Sequence, residues 1–417
     1  MFLPIFKPRR VCAGLLIGFA LCAGGVAQGQ TTPTLKQALD AAWALSPQSR
    51  AAAPRLAELQ ARAQAAQAFT AGAPSVNVAH RTDQLNANGG RREYEAEVAL
   101  PLWNPGVRAS TQRQIASEQT ALELQWAHAR LKLAGELREL LAGLMLARIE
   151  QDLAARKHTE TLRLSLDVQR RVQAGDAPRV DALQAQAAVQ QAQQTVVQAD
   201  GGVLKLQNQW RALTGLSDMP TPAQALEVAP ELASIAGAAP DSKHPALQAS
   251  QAQTDAAQAR LSLAAADRRD PMEVGLGVTQ DRSAFGASTD TTLRFALRIP
   301  LGGDNRNAPK IAAARAELDA AYAEADAMSR QVQADMATAT AALDTARRSE
   351  ALAAERARLS GEVHALMARS YQLGEGDLPT RLRAENDKFD ADLSLARARI
   401  DVQRAIAQLN QALGLLP

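Results

Sequence analysis

The residues that could do chemistry in this 417-residue chain stand apart from one another. No nucleophile lies at motif spacing from a base, and there is no glycine-rich phosphate loop and no paired-carboxylate motif. The histidines are isolated in sequence, and none belongs to an H-x-x-x-H pair: they are His80, His128, His158, His244 and His364. We therefore predict a protein that is not an enzyme and that holds no cofactor and no metal.

Charged residues in two alternating segments are the exception, because their spacing fits a surface that contacts ions. Glu93, Glu95 and Glu97 alternate with apolar residues, as do Arg294 and Arg298 in a second segment. A period of two places such charges on one face of a strand, and we expect that face to line an aqueous lumen. The glutamates could attract cations there. The two arginines offset much of that charge, so simple wetting of a wide pore is the favoured role.

These strands form two predicted β-hairpins, which span residues 74–103 and 271–302. Each strand has roughly ten residues and one apolar face, the length and pattern of a transmembrane β-strand. The alternative is the edge of a soluble sandwich, but the sequence offers no further strands to build its core. Lipid does not tolerate an open sheet edge, and bacterial barrels begin at about eight strands. We therefore expect two or three copies of the chain to close one barrel.

The chain repeats its landmarks at an offset of about 199 residues. In the first repeat, residues 28–216, a helix and the first β-hairpin precede a long helical hairpin with its tip near Gly175. The second repeat, residues 244–417, has the same order and a tip near Gly374, and residues 217–243 are a linker. Other repeated landmarks are Leu100-Pro101-Leu102 with Ile299-Pro300-Leu301, and Thr214-Gly215-Leu216 with Leu413-Gly414-Leu415. Such a period indicates two copies of one structural unit.

Helix lengths fit this duplication. The outbound helices, residues 105–174 and 304–373, would each reach roughly 105 Å, whereas the returning helices would cover only ~57 Å. We expect a shorter helix of ~40 Å to continue each returning helix end to end. These shorter helices are residues 46–72 and 244–270.

Residues 1–27 are predicted to be a cleaved signal peptide. Basic residues precede an apolar run, Val11 to Ala23, and a small-residue cleavage site that ends at Ala27. The run is shorter than the ~20 residues of a membrane anchor. Export would remove both cysteines, Cys12 and Cys22, and we do not expect Cys22 to be lipidated because Leu21 is too large for the preceding position.

Composition agrees with a helical, exported protein. The formal net charge is +2 at pH 7, which gives no sign of nucleic-acid binding. Aromatic residues are 3% of the chain, too few for the core of an ordinary globular domain. The abundance of Ala, Gln, Arg, Glu and Leu is typical of long helices that pack through small side chains.

The doubled order of helix, β-hairpin, long helix, turn and helix resembles the TolC-type outer-membrane efflux channels over essentially the whole mature chain. The most specific segments run from Val172-Gln173-Ala174-Gly175 to Asp181-Ala182-Leu183-Gln184-Ala185, and from Tyr371-Gln372-Leu373-Gly374 to Leu382-Arg383-Ala384. The resemblance implies a mainly α chain with four transmembrane strands. It also implies a homotrimer that combines an α-barrel with a 12-stranded β-barrel, in the outer membrane of a Gram-negative bacterium with a long periplasmic extension.

The resemblance also implies partners and a function. The partners are an inner-membrane pump of the RND type, a periplasmic membrane-fusion adaptor and outer-membrane lipid. The function is passive exit of cargo from a tripartite efflux system, and the low aromatic content and Gly-Glu-Gly-Asp tip favour the branch for heavy metals (cobalt, zinc, cadmium, nickel). Drug efflux and type I secretion by the same fold are alternatives. A periplasmic coiled-coil adaptor or structural protein is a more distant one.

Residue roles follow from the resemblance at the two tips. In the family, an acid and a tyrosine that match Asp181 and Tyr371 link the tips and hold the tube closed. The family's constricting aspartates would fall at Thr380 and Arg383, so Arg383 is expected to present a positive ring instead. The predicted adaptor-docking residues are Gly175, Asp176, Gly374 and Asp377. The two aspartates are also predicted N-caps, with Pro178 and Pro379 in the following first turns.

Overall fold

The structure is a computed structural model, and it describes residues 32–221, 227–228, 241–302 and 304–417. The predicted signal peptide lies outside the described residues, as does much of the predicted linker. Residues 33–417 form one unit. Its elements are α1 (Leu35–Leu45), α2 (Pro47–Gln67), β1 (Ser75–Thr82), β2 (Arg92–Leu102), α3 (Val107–Ala174), α4 (Arg179–Thr214), α5 (Pro245–Ala266), β3 (Met272–Arg282), β4 (Asp290–Arg298), α6 (Asp304–Gln372) and α7 (Leu378–Ala412).

The element order shows the predicted duplication, because α2-β1-β2-α3-α4 is followed by α5-β3-β4-α6-α7. The long helices α3 and α6 contain 68 and 69 residues, which is roughly 100 Å at 1.5 Å per residue. Each ends at a glycine in the left-handed region, Gly175 at φ +87° and Gly374 at φ +80°. A residue without a Cβ adopts this conformation at little cost, so these two glycines set the length of the helical hairpins.

The N-cap prediction holds at one tip and is wrong at the other. Asp377 caps α7, with its side chain accepting from the Thr380 amide at 3.1 Å, and Pro379 lies in the first turn. Asp176 instead completes the end of α3, because its amide donates to the Arg171 carbonyl at 2.8 Å. Pro178 then takes the N-cap position of α4 rather than a place in its first turn, without a side-chain hydrogen bond. At both tips the N-cap is the third residue after the glycine, which is Pro178 after Gly175 and Asp377 after Gly374. Asp176 is the first residue after its glycine and so corresponds to Glu375, not to Asp377.

The four strands form one antiparallel sheet in the order β1-β2-β3-β4. Val98 pairs with both Val76 and Leu276, and Leu276 pairs with Phe295, so apolar side chains from all four strands share one face. This apolar face is exposed in the single chain, with 81% of Phe295 accessible. Its largest exposed members are Val76, Val78, Tyr94, Val98, Val274, Leu276, Val278, Leu293, Phe295 and Leu297.

The helices pack as two long hairpins around a shared seam. Helices α4 and α5 both pack on α3, α5 and α7 both pack on α6, and α7 also contacts α3. Buried Trp210 and Leu137 join α1 to the α3–α4 pair. No helix in the part of the chain that the structure describes has both the length and the apolarity that crossing a membrane requires.

The predicted end-to-end stacking is visible where the helices meet. A Cβ at Gly414, just after α7, would come within 2.7 Å of His244 and Pro245 at the start of α5. A Cβ at Gly215, just after α4, would lie 3.1 Å from the side chain of Leu45. Leu45 is the last residue of α1, and only Ser46 separates it from α2. Each short helix therefore begins where a returning helix ends, in both repeats.

Candidate functional site

The polar face of the sheet brings together the charged residues that the sequence pattern singled out. Glu93, Glu95 and Glu97 lie on the face of β2 opposite the apolar residues, and Arg294 and Arg298 share that face on β4. Arg294 forms an ion pair with Glu95 across the intervening strand. The charges of the two hairpins are therefore parts of one surface.

Further ion pairs on this face were not foreseen from the sequence. Arg298 pairs with Glu273 at 3.4 Å, and Arg81 pairs with Glu93 at 3.6 Å. Three carboxylates of the same face make no ion pair within the described residues, and they are Glu97, Asp281 and Asp290. The polar face is therefore more acidic than basic. Periodicity identified the face, but the partners depend on strand register, which the pattern does not specify.

Glycines beside Glu97 make room for its carboxylate. Glu97 is directly opposite Gly277, and a Cβ built on Gly275 would clash with Glu97 Oε1. Any side chain at position 275 would displace the carboxylate. In the Val-Gly-Leu-Gly-Val segment of β3, the apolar residues thus belong to the apolar face, and the two glycines leave space for Glu97 on the polar face.

At the tips, Tyr371 packs between the two helical hairpins and is only 6% exposed. Its ring lies in a cluster with Leu164, Val168, Ala185 and Leu378, which come from α3, α4 and α7. Residues of four helices therefore meet at this tyrosine, which is the position that the resemblance assigns to a gate.

Two arginines flank the Tyr371 ring, and the sequence did not indicate them. The guanidinium carbon of Arg171 lies 4.8 Å from the ring centroid, and that of Arg381 lies 5.8 Å from it. Arg171 also bonds Asp167 at 3.2 Å. Cations this close to an aromatic ring are attracted to it. They come from α3 and α7, so the ring joins the first hairpin to the second.

Asp181 influences Tyr371 through its charge rather than through a hydrogen bond in the described chain. Burial is the largest effect and raises the pKa of Tyr371. Arg171 and Arg381 lower it, whereas Asp167 and Asp181 raise it. Arg383 is exposed. The pKa of Asp377 is lowered mainly by the hydrogen bond with Thr380 and slightly by the charge of Arg383. The gate roles of Asp181, Tyr371 and Arg383 remain predictions.

A buried glutamate lies one turn further along α7, and sequence reasoning missed it. Glu385 is 3% exposed and accepts a hydrogen bond from the Thr161 hydroxyl of α3 at 3.0 Å. Burial raises the pKa of Glu385. The hydrogen bond from Thr161 opposes this most, the charges of Arg381 and Lys157 also lower the pKa, and the charge of Glu160 raises it. A buried acid at the contact between the hairpins predicts that the stability of this contact depends on pH.

We expect Glu385→Gln to stabilise the contact between α3 and α7 at neutral pH by about 1 kcal/mol, a typical single-site effect. The amide can still accept from Thr161, and no charge is buried. The pKa of Glu385 is higher in the folded state than in the unfolded state. The wild-type contact is therefore most stable below about pH 4.5, where Glu385 is protonated in both states, and it loses this stability as pH rises through the folded-state pKa. Hydrogen exchange of α3 and α7 as a function of pH measures this. Glu136→Gln, exposed on α3, serves as control, and equal pH dependence in wild type and Glu385→Gln would contradict the prediction.

The middle of the bundle is held by a buried arginine. Arg138, 6% exposed, pairs with Glu227 at 2.9 Å and donates to Gln411 at 2.6 Å and to the Leu415 carbonyl at 2.9 Å. Asn410 also donates to Glu227 at 2.8 Å. The described part of the predicted linker is therefore tied to the middle of α3 and to the carboxy-terminal end of α7.

Two histidines that are far apart in sequence meet in space. His128 and His244 line one cavity of about 490 Å³ at the junction of α7 and α5. Burial lowers the pKa of both. Among the described residues, no group of three or more His, Cys, Asp or Glu side chains is arranged to hold a metal ion.

Comparison with known proteins extends these observations. Residues 241–415 match the model of a family described as outer membrane efflux protein. The chain is 29% identical to Protein CyaE of Bordetella pertussis (strain Tohama I) over 337 residues, which are 75% of this chain and 68% of that protein.

Solved structures are similar over nearly the whole chain. A membrane protein from Pseudomonas aeruginosa aligns with a TM-score of 0.74 and 20% identity, covering 93% of this chain and 98% of that one. The MtrE outer membrane channel of Neisseria gonorrhoeae, in its open state, aligns with a TM-score of 0.71 and 17% identity, covering 92% and 89%. At these identities the similarity shows a shared fold.

Proposed function

Because the chain belongs to the TolC-type outer membrane efflux proteins, we propose that it is the passive exit channel of a tripartite efflux system. Three identical copies conduct cargo from an inner-membrane RND-type pump and a periplasmic membrane-fusion adaptor to the exterior. The pump supplies the free energy. The channel contributes a continuous wall.

The exposed apolar face of the sheet is the observation that carries this proposal. Strands β1 and β4 are edge strands, each paired on one side only among the described residues, and the apolar face of the sheet is uncovered. Water disfavours such a face, and lipid disfavours the open edges. Three copies would remove both problems by closing a 12-stranded barrel, with the apolar face toward lipid and the charged face toward the lumen.

Apolar stripes on the helices support assembly from identical copies. Exposed Leu352, Leu359 and Leu366 recur every seven residues on α6, at 22, 15 and eight positions before Gly374. On α4, exposed Leu183 and Val197 lie eight and 22 positions after Gly175. The stripes therefore occur at the same heights above the tips, and a seven-residue period is that of coiled-coil seams.

The packing within one chain indicates how these stripes meet. Helix α7 lies against both α3 and α6, whereas its counterpart α4 packs mainly on α3. Repetition of the same unit would place α4 of one copy between its own α3 and α6 of the next copy. Such a contact continues around a closed ring with pseudo-sixfold symmetry, and it supports the homotrimer.

For the cargo, the acidic character of the polar sheet face favours cations. Glu97, Asp281 and Asp290 have no ion pair in the described chain, and a trimer would present three sets of them to the lumen. We therefore place divalent heavy-metal cations first, with drugs or a secreted protein as alternatives. In a strain that has the cognate pump and adaptor but lacks the channel, expression of this chain should restore resistance to cobalt, zinc, cadmium or nickel salts. Restored drug resistance or protein secretion would reassign the cargo, and no restored export would overturn the channel function.

The tips are the proposed contact with the adaptor, through Gly175, Asp176, Gly374 and Asp377. Gly374→Val should reduce export by at least about tenfold, because a β-branched residue in the left-handed conformation costs ~1–2 kcal/mol or more and distorts the turn. A Cβ there meets nothing within 4 Å, so the strain is local and the trimer should still reach the outer membrane.

The matched control for Gly374→Val is Gly361→Ala. Gly361 lies within α6, its added Cβ also meets nothing, and its φ is not positive. Alanine favours a helix over glycine, so this variant should export normally. Normal export by Gly374→Val as well would count against docking at this tip.

A further inference from the structure

We propose that the pocket between the sheet and the helices binds the phosphoethanolamine headgroup of a phospholipid in the periplasmic leaflet. The pocket has a volume of about 290 Å³, roughly ten times the ~30 Å³ that one water molecule occupies in the liquid. Its lining includes Trp103, Asn104, Asp267, Arg268, Arg269 and Lys310. The inference rests on the proposed placement of the sheet in the outer membrane, and the experiment below separates the two.

The pocket lies where the apolar face of the sheet ends. Leu102 and Met272 are the last pair between β2 and β3, and Trp103 follows at once, with its indole N–H donating to the Ala68 carbonyl at 2.9 Å. Phe69 is 78% exposed beside this carbonyl. Aromatic side chains concentrate at the level of lipid headgroups, so the pocket opens at the height where a headgroup would sit.

Basic side chains supply the phosphate contacts. Arg268 and Arg269 lie at the turn between α5 and β3, and Lys310 faces them from α6. Arg268 uses its Nε on the Ala265 carbonyl, which leaves its terminal nitrogens for a ligand. Lys310 is 3.5 Å from Asp267 and largely exposed. Guanidinium and ammonium groups at a membrane surface bind phosphate through charge-assisted hydrogen bonds.

Asn104 indicates the other half of the ligand. This side chain is 7% exposed, and its Nδ2 donates to the Arg269 carbonyl at 2.8 Å and the Asp270 carbonyl at 3.1 Å. Both amide hydrogens are therefore used, which fixes the orientation of the group. Asn104 lines the pocket, and its Oδ1 is buried without a donor among the described residues. A buried acceptor of this kind favours a hydrogen-bond donor, which water or a ligand can supply.

Among common phospholipids, phosphoethanolamine combines the two required features. Its phosphate suits the basic residues, and its ammonium can donate N–H bonds to Asn104 Oδ1 and to Asp267. Phosphocholine has the same charges but no N–H group. Phosphoglycerol has hydroxyl donors but no cation for Asp267. The pair Asn104 and Asp267 should therefore discriminate between headgroups that the basic residues alone would not distinguish.

The duplication provides an internal comparison. Trp103 and Asn104 follow Leu102 in the first repeat, whereas Gly302 and Gly303 follow Leu301 in the second. The second repeat thus has neither the indole nor the amide. A Cβ at Gly302 would lie 2.6 Å from the Arg268 carbonyl, so glycine at 302 is needed to keep the wall of the first pocket in place. We expect one headgroup site per chain and three per trimer.

Native mass spectrometry of the purified trimer with added phosphatidylethanolamine, phosphatidylcholine or phosphatidylglycerol, all with the same acyl chains, tests the proposal. Wild type should retain phosphatidylethanolamine about tenfold better than phosphatidylcholine, the effect of one hydrogen bond to a charged group. Asn104→Ala should lower this ratio severalfold, with Asp267 left as an acceptor for the ammonium. Arg268→Gln with Lys310→Gln should weaken the retention of all three lipids, and Arg315→Gln, exposed and outside the pocket, should change nothing.

The outcomes separate this inference from the channel proposal. Equal retention of the ethanolamine and choline lipids by wild type, or an unchanged ratio in Asn104→Ala, would overturn the headgroup site and leave water as the occupant. The same spectra report whether the protein is a trimer. A monomer would overturn the proposed assembly, whereas a trimer without headgroup preference would overturn only the site.

Discussion

Leu359→Glu is expected to abolish the trimer. The side chain is 48% exposed in the single chain and lies in the middle of the α6 stripe with Leu352 and Leu366. In the proposed assembly Leu359 is buried against α4 of the next copy. An unpaired charge there would make association less favourable by about 3 kcal/mol at each of three identical contacts. We expect loss of the heat-modifiable trimer on unboiled gels and loss of the protein from the outer-membrane fraction.

A control variant must show that Leu359→Glu acts through the position of the new charge and not through the added charge alone. Ala354→Glu, also exposed on α6 but on the opposite side of the helix from the stripe, should leave the trimer intact. Gln190 lies on α4, 15 positions after the tip residue Gly175, and Leu359 lies on α6, 15 positions before the tip residue Gly374. The two residues are therefore equally far from the tips. Gln190→Lys should therefore restore part of the trimer in the Leu359→Glu background. A stable trimer with Leu359→Glu alone would contradict the proposed contact between α4 and α6.

Features that depend on local conformation were predictable from the sequence. Gly175 and Gly374 mark the ends of α3 and α6 because few other residues adopt a left-handed conformation after a helix. The alternation through Tyr94, Ala96 and Val98 identified the apolar face because side chains in a strand alternate with a period of two. Neither inference required knowledge of a partner element.

Features that depend on three-dimensional pairing were not predictable in the same way. The Arg298–Glu273 pair needs the register of β3 against β4, and the burial of Glu385 needs the packing of α7 against Thr161 of α3. Asp176 was mistaken for an N-cap because the number of residues in the tip turn was unknown. In each case the sequence gives the residue type, but the packing of distant segments determines its neighbour.

The side chain of Tyr371 offers the sharpest test of the gate that we predict at the tips. Tyr371→Ala removes a ring that is 6% exposed among residues of all four helices at the tips. Loss of a buried aromatic side chain costs ~3–5 kcal/mol, and the attraction of Arg171 and Arg381 for the ring would be lost with it. We expect the closed tip to lose stability by at least about 3 kcal/mol, which is a factor of about 100 in the closed population.

A leak is the expected result of Tyr371→Ala. Cells that express this variant should become sensitive to a large antibiotic that the intact outer membrane excludes, and single channels in planar bilayers should show higher resting conductance. Both measurements need the trimer to form, which unboiled gels check in the same samples. Unchanged sensitivity and conductance would exclude Tyr371 from the gate.

Tyr371→Phe distinguishes packing from hydrogen bonding. In the described chain the ring contacts Arg171 and Arg381, but no hydrogen bond joins its hydroxyl to Asp181. If packing and the two cations hold the tip, Tyr371→Phe should remain closed, because the ring and its attraction for both guanidinium groups persist. Asp181→Asn should likewise have a small effect. A leak from Tyr371→Phe as large as that from Tyr371→Ala would show instead that the hydroxyl finds its partner only when three copies assemble, and the link between Asp181 and Tyr371 would then be a contact between subunits.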